Sequence, residues 1–330
     1  MKTLRRFYIT SSLSMKRFLL ILIFIHIFIT IASCSQTVGT NPQDVEDIFL
    51  HGGDRVKVDV WVENLKIPWA LVFLKDGRAL VSERPEQIRL IKNGRLQEMP
   101  YMEIEVAHVG EGGLLGLALH PEFPKKPYIY AYHTYKKGDV LYNRVIQLKD
   151  NEINGTFNRI IIDNIPGGRL HNGGRIAFGP DGILYITTGE IFNSKLAQDI
   201  HSLGGKILRV TPDGGIPKDN PFKESAVFSY GHRNPQGLSW QPSTGRLFES
   251  EHGPSGEFAR FANDEINIIV KGGNYGWPHV IGAPGIKPFI DPIIVWKKTT
   301  PPSGVTFYKD DLLKHLNGDL FVAPSVVSPS

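Results

Sequence analysis

The chain has 330 residues, 41% hydrophobic and 21% charged, a composition that supports a substantial buried core and excludes a wholly disordered chain. A single cysteine, Cys34, excludes an internal disulfide framework. The formal charge of +4 is an N-terminal effect: the first 34 residues hold five Lys and Arg and no acid, so the remainder nets −1 and has no basic footprint for nucleic acid.

Lys2, Arg5, Arg6, Lys16 and Arg17 lead into an almost unbroken apolar run from Phe18 to Ile31. Met15 opens a tidy signal of its own, so the start is either Met1 or Met15. The run is too short and too abruptly ended for a spanning helix. It closes in Ile31-Ala32-Ser33-Cys34, the pattern of a bacterial-type lipoprotein cleavage site. Residues 1–34 therefore read as a lipoprotein-type signal peptide with Cys34 as the lipidated residue; an ordinary signal or uncleaved anchor with an incidental cysteine is the alternative. Residues 35–54 are polar and unpatterned and read as a flexible tether, with the folded domain over 55–330. The expected location is extracytoplasmic, on a membrane surface.

From Val56 onward one phrase recurs: an apolar group, a turn with Pro, Asp or Gly, then an alternating strand. It runs from Leu71-Val72-Phe73 into Arg78-Ala79-Leu80-Val81, and from Leu117-Ala118-Leu119 into Tyr128-Ile129-Tyr130. It returns as Ile176-Ala177-Phe178 into Ile183-Leu184-Tyr185-Ile186, as Leu238-Ser239-Trp240 into Arg246-Leu247-Phe248, and as Val305-Thr306-Phe307 into Asp319-Leu320-Phe321-Val322. Copies spaced by roughly 45 to 65 residues, each with several short strands, predict an all-β propeller rather than a sandwich of hairpins. The fifth copy runs out in a polar tail from Val326 to Ser330, so the blade it starts is expected to be cut short, and a sixth to be missing.

Chemistry concentrates in loops. Between Tyr230 and Pro278 lie Y-G-H-R-N-P-Q-G-L, S-E-H-G-P and D-E-I-N-I-I-V-K-G-G-N-Y-G-W-P, with L-H-N-G-G-R upstream from Leu170. Gly and Pro shape loops that present cations, amides and carboxylates from a rigid scaffold, which points to a catalytic base and a cofactor pocket. With I-P-W-A-L-V-F from Ile67, G-E-G-G-L-L-G-L-A-L-H-P-E-F from Gly110 and G-G-K-I-L-R-V from Gly204, the chain resembles the soluble pyrroloquinoline-quinone (PQQ)-dependent aldose dehydrogenases, the glucose/sorbosone dehydrogenase family. The resemblance extends from about Ile67 to Tyr308.

That resemblance implies a six-bladed propeller that holds PQQ over its axis with calcium and oxidises the anomeric hydroxyl of aldoses. It assigns the base to His171, and a hydride can leave only as a base takes the hydroxyl proton. It assigns cofactor contacts to Arg233, whose planar fork suits a carboxylate, and to Asn234. Glu111 stands where relatives carry a cofactor-contacting Gln, so a carboxylate there would face an anionic ligand unless protonated or bound to calcium. The carbonyls of Gly253 and Pro254 match those that hold the cofactor's calcium. Asp264 and Glu265, with the Tyr275 carbonyl, match a second, structural calcium site, although the stretch from Ser255 to Asn263 is longer than in close relatives. Trp296 is a candidate for stacking on cofactor or sugar, or a core residue.

The resemblance also implies an external electron acceptor, a quinone or redox protein; an oligomer is possible. Relatives draw further cofactor-binding Lys and Arg from the end of the fifth blade and from the sixth, which supports a non-catalytic surface propeller as one alternative. A calcium-dependent propeller lactonase or esterase is the other. The 11 His show no zinc-ligand spacing, no Ser sits in a G-x-S-x-G elbow, and no Gly-rich phosphate loop opens a helix.

Overall fold

Each copy of the repeated phrase folds as an antiparallel strand pair. The computed structural model describes residues 48–49, 55–56 and 59–324. The signal segment and Cys34 lie outside the described residues. Inside the stretch read as a tether, β1 (Ile48–Phe49) pairs with β2 (Arg55–Val56), the first residues of the stretch read as the domain.

The first sheet joins β3 (Pro68–Phe73), β4 (Ala79–Glu83), β5 (Gln87–Lys92) and β6 (Arg95–Leu96), with β7 (Met102–Glu103) also on β5. The second runs β8 (Leu114–Leu119), β9 (Tyr128–Lys137), β10 (Val140–Asp150) and β11 (Gly155–Pro166). The third contains β12 (Ile176–Phe178), β13 (Leu184–Thr188), β14 (Lys206–Val210) and β15 (Val227–Tyr230). The fourth contains β16 (Pro235–Trp240), β17 (Leu247–Glu251), β18 (Asp264–Ile269) and β19 (Ile294–Trp296). Next, β20 (Pro302–Phe307) pairs with β21 (Leu320–Pro324). Among the described residues, helix is confined to α1 (Lys195–Gln198) and two short 3-10 turns.

The sheets pack face to face in chain order, and the period of two decides which neighbour each side chain meets. On β9, Ile129 and Ala131 pack toward the first sheet with Leu80, Ile88 and Leu117. Tyr130 and Tyr132, one residue out of phase, pack toward the third with Leu184, Ile186 and Leu208. Tyr185, Ile207, Leu238 and Leu247 fill the layer between the third and fourth sheets, while Phe248, Ile266 and Phe307 fill the next. Each strand in the middle of a sheet thus serves two cores, and the first strands of successive sheets lie side by side. This is a propeller-like arrangement of blades.

Hairpin turns use local side-chain chemistry. Asp76 Oδ1 accepts the Arg78 N–H at 3.1 Å, and Asp181 Oδ1 accepts the Ile183 N–H at 3.1 Å. The same turn closes the first hairpin in two different sheets, as expected of an Asp that mimics a backbone acceptor.

Candidate active site

In an antiparallel four-stranded sheet, the loop entering the first strand and the loop between the second and third emerge at one end. His171 lies in the loop entering β12, Arg233 and Asn234 in the loop entering β16, and Glu111 in the loop entering β8. Glu190 leaves β13 toward β14, and His252, Gly253 and Pro254 leave β17 toward β18. All are therefore delivered to the same end of their sheets, which is how a rigid scaffold assembles a site from distant segments.

His171 is 5% exposed and has a φ of 54°, a left-handed conformation that costs a non-glycine residue about 1–3 kcal/mol. Its N–H donates to Glu111 Oε2 at 2.8 Å, and its carbonyl accepts the Ile191 N–H at 3.3 Å. The imidazole Nδ1 lies 2.6 Å from Oε1 of buried Glu190. An ionised carboxylate can only accept, so in the neutral imidazole the proton sits on Nδ1 and Nε2 is the nitrogen able to accept one. Gly189 permits this approach, because a Cβ there would collide with the His171 carbonyl.

Arg233 is tied to the same centre through its backbone: its carbonyl accepts the Glu190 N–H at 2.9 Å. Its guanidinium is 2% exposed, donates through Nε to Glu257 Oε1 at 2.7 Å, and stands 5.6 Å above the Trp277 ring. The Arg233 N–H is held by Glu251. Asn234 uses Oδ1 to accept the Gly173 N–H at 3.1 Å and Gln236 Nε2 at 3.0 Å. That locks the His171 loop to the Arg233 loop, and only Nδ2 can then serve a ligand.

His252 lies among these groups. Burial pulls its pKa down, while the charges of Asp264, Glu111, Arg233 and His171 all act on it. Its Nε2 is buried with no hydrogen-bond partner. A buried, unpartnered nitrogen costs about 1–3 kcal/mol, so the position suits a ligand that supplies the missing partner. An anionic, hydrogen-bonding group placed near Arg233 and His252 fits the donors present.

One small cavity is bordered by Arg233, His252, Gly253, Pro254, Glu265 and Tyr275. Apart from Asp264, the residues expected at two calcium sites thus border a single space. Gly253 is pressed so close to the Ala262 carbonyl that no Cβ could be accommodated. Asp264, expected as a calcium ligand, also holds backbone, its two carboxylate oxygens accepting the Gly253 N–H at 3.0 Å and the Thr300 N–H at 2.7 Å. It staples the loop that presents Gly253.

Behind the cavity, the cross-strand pairs Glu249–Asn267 and Glu251–Glu265 put three carboxylates and an amide on one face of the fourth sheet. Burial, then the neighbouring Glu251, raise the Glu249 carboxyl, and the same causes push Glu265 up to about 8. Oε1 of Glu249 and Oδ1 of Asn267 are buried without partners. His232, Glu249 and Glu251 bring potential ligand atoms within 4.8 Å of one another. His232 also bonds Glu251 at 2.8 Å and stacks on Tyr275 at 4.6 Å. Oxygen-rich and undersatisfied, the donor set fits a hard divalent cation such as calcium, which would take the place of the protons these buried carboxyls hold.

Glu111 is exposed and anchors the His171 backbone through Oε2, with Oε1 outside that bond. Trp296 packs against the Phe248, Ile266 and Phe307 cluster, the core role weighed for it in the sequence. Three residues escaped the sequence: Glu190, His252 and Phe192, whose ring centroid lies 5.0 Å from that of His171. His252 was visible inside E-H-G-P, but nothing in the motif separates it from its neighbours. The pairing of Glu190 with His171 has no local signal.

Residues 65–326 match the model of the family described as Glucose / Sorbosone dehydrogenase. Aldose sugar dehydrogenase YliI of Escherichia coli is 34% identical over 292 residues, covering 81% of this chain and 77% of that one. Quinoprotein glucose dehydrogenase B of Acinetobacter calcoaceticus is 35% identical over 257 residues, covering 68% of this chain and 52% of its own length. Among solved structures, the PQQ-bound aldose sugar dehydrogenase of Streptomyces coelicolor superposes with a TM-score of 0.71 at 38% identity, covering 81% of this chain and 77% of that one.

Proposed function

The chain belongs to the glucose/sorbosone dehydrogenase family, and we propose that it oxidises the anomeric hydroxyl of aldose sugars to lactones, with PQQ and calcium as cofactors. His171 is the base. With Nδ1–H held by Glu190, Nε2 takes the proton from the anomeric hydroxyl while the C1 hydrogen departs with its electron pair and the C1–O double bond forms. When bound, PQQ supplies the two-electron acceptor for that hydride and its calcium a Lewis acid that favours reduction.

The chain's own groups do the rest. Arg233 contributes a planar fork for a ligand carboxylate, sharing or exchanging its present partner Glu257. Asn234 fixes the spacing between the His171 and Arg233 loops and offers Nδ2 to a ligand. The loop carbonyls of Gly253 and Pro254 are suited to the cofactor's calcium, and Asp264 and Glu265 with the Tyr275 carbonyl to a second ion. Glu111 holds the backbone of the base. We place the domain on the outer face of a membrane, attached through lipidated Cys34, with electrons leaving to an external quinone or redox protein.

The observation that carries this reading is the 2.6 Å contact between His171 and Glu190, made by the residue whose N–H also binds the Arg233 carbonyl. The base and the backbone of Arg233 are thereby tied to the same residue. The test is dye-linked oxidation of aldoses by the full chain supplied with PQQ and calcium, with His171→Ala abolishing turnover. A protein that takes up PQQ and yet reduces no dye with any aldose removes the proposal.

A further inference from the structure

We propose that Phe192 is a platform on which the pyranose ring of the aldose stacks beside His171, and that it selects sugars whose C–H face is uninterrupted. The inference deepens the sugar dehydrogenase reading and rests on it.

Phe192 is 57% exposed, although its ring adjoins the buried imidazole of His171 at 5.0 Å between centroids and a tilt of 39°. Its backbone has a φ of 64°, and Ile191 before it has a φ of 53°. Two consecutive bulky residues in the left-handed region are a genuine outlier, the kind of strain that persists only where surrounding structure imposes it.

Here three hydrogen bonds do so. The Ile191 N–H donates to the His171 carbonyl at 3.3 Å, the Asn193 N–H to the Glu190 carbonyl at 2.8 Å, and the Phe192 N–H to Glu190 Oε1 at 3.2 Å. That last oxygen is the one that orients the base. A single carboxylate oxygen thus sets both the proton acceptor and an exposed aromatic face next to it.

A pyranose presents polar edges and apolar C–H faces. An aromatic ring takes the apolar face by dispersion and water exclusion, leaving the anomeric hydroxyl on the edge for His171. An axial hydroxyl on the stacked face would interrupt the contact and go unpaired. Phe192 also offers no polar atom, so it can discriminate by shape without competing for the proton.

The test compares the wild type with Phe192→Ala and Phe192→Tyr, using glucose and its C4 epimer galactose. On the PQQ- and calcium-loaded full chain, Phe192→Ala should raise the KM for glucose by roughly tenfold and narrow the preference between epimers. The kcat should change little, and the pH profile and PQQ affinity should stay as in the wild type. Phe192→Tyr should restore the wild-type KM. On the cofactor-free protein, saturation-transfer NMR should show glucose C–H protons receiving magnetisation from the wild type and losing most of it in Phe192→Ala.

An unchanged KM and epimer ratio in Phe192→Ala would overturn the proposal. So would an equal loss of kcat for both sugars with a shifted pH profile, since that would make Phe192 only a support for the imidazole. A wild type that binds PQQ and oxidises no aldose sinks the dehydrogenase reading itself and this one with it; wild-type turnover with an insensitive Phe192→Ala sinks this one alone.

Discussion

His171 and Glu190, 19 residues apart in sequence, meet at 2.6 Å between Nδ1 and Oε1, and both side chains are buried. The carboxylate fixes which imidazole nitrogen is protonated and prevents the ring from turning about its own axis. Glu190→Gln keeps the shape but removes the obligate acceptor, so either tautomer can persist. The kcat for aldoses should fall by roughly 100-fold or more with KM little changed, while PQQ binding is preserved. Steady-state kinetics on the loaded protein read this out, and a variant with wild-type kcat would show that Glu190 does not orient the base.

Arg233 enters the site already paired with Glu257. Replacing the guanidinium with a point charge in Arg233→Lys loses the fork geometry, so PQQ should bind about 10- to 100-fold more weakly by calorimetry. Glu257→Gln should act in the other direction and tighten PQQ binding, because the guanidinium loses a competing anion. Weaker binding in both variants would mean that Glu257 orients Arg233 rather than competing with the ligand.

The carboxylates behind the cavity link calcium to pH. Glu265 is pushed up to about 8 in the folded protein by burial and by Glu251, against 4.5 for an ordinary Glu. The native state therefore holds this proton more tightly than the unfolded chain. Its stabilising effect is present below about 4.5 and is lost as pH rises toward and through 8. Chelator-treated protein should lose a few kcal/mol of stability between pH 5 and pH 9 in denaturant titrations. Added calcium should flatten the loss, since the ion takes the proton's place against the buried charge. Identical profiles with and without calcium would argue against any cation at these oxygens.

His133 gives the opposite slope in a lower range. It is 1% exposed on β9, and burial, followed by the nearby Arg144 charge, pulls it down to about 4 from 6.5. Arg144 Nε donates to His133 Nε2 at 3.1 Å, so the ring must stay neutral on that side. Between pH 6.5 and 4 the unfolded chain takes up a proton that the folded one refuses. Stability should therefore fall by about 3 kcal/mol as the pH drops across that window. His133→Gln should remove most of this acid sensitivity, as followed by urea unfolding at pH 7 and pH 4.5.

The legible part of the protein was that written locally. Alternation with a period of two and recurring turn residues located all five opening strand pairs, from Leu71–Val81 to Val305–Val322, because which face a strand side chain occupies depends only on its own position. Motif order likewise gathered His171, Arg233, Gly253 and Glu265 as one functional set. Their spatial convergence was decided by the tertiary structure. Strand pairing brought Glu251 opposite Glu265, and the pairing of β12 with β13, continued by the Ile191 N–H to the His171 carbonyl, brought the Glu190 loop onto His171.

The same distinction explains where the residue roles shifted. Asp264 gained the further task of stapling Gly253, and Trp296 packs in the core, because hydrogen bonding and packing between distant segments engage their side chains. Phe192 was unremarkable in the sequence, and only the left-handed turn imposed by Glu190 turned its ring out beside the base. Composition and periodicity determine strands, turns and chemistry-bearing loops, since these are short-range properties of the chain. Proton positions, orphaned donors and an exposed aromatic face depend on contacts between residues far apart in sequence, and those exist only once the sheets have packed.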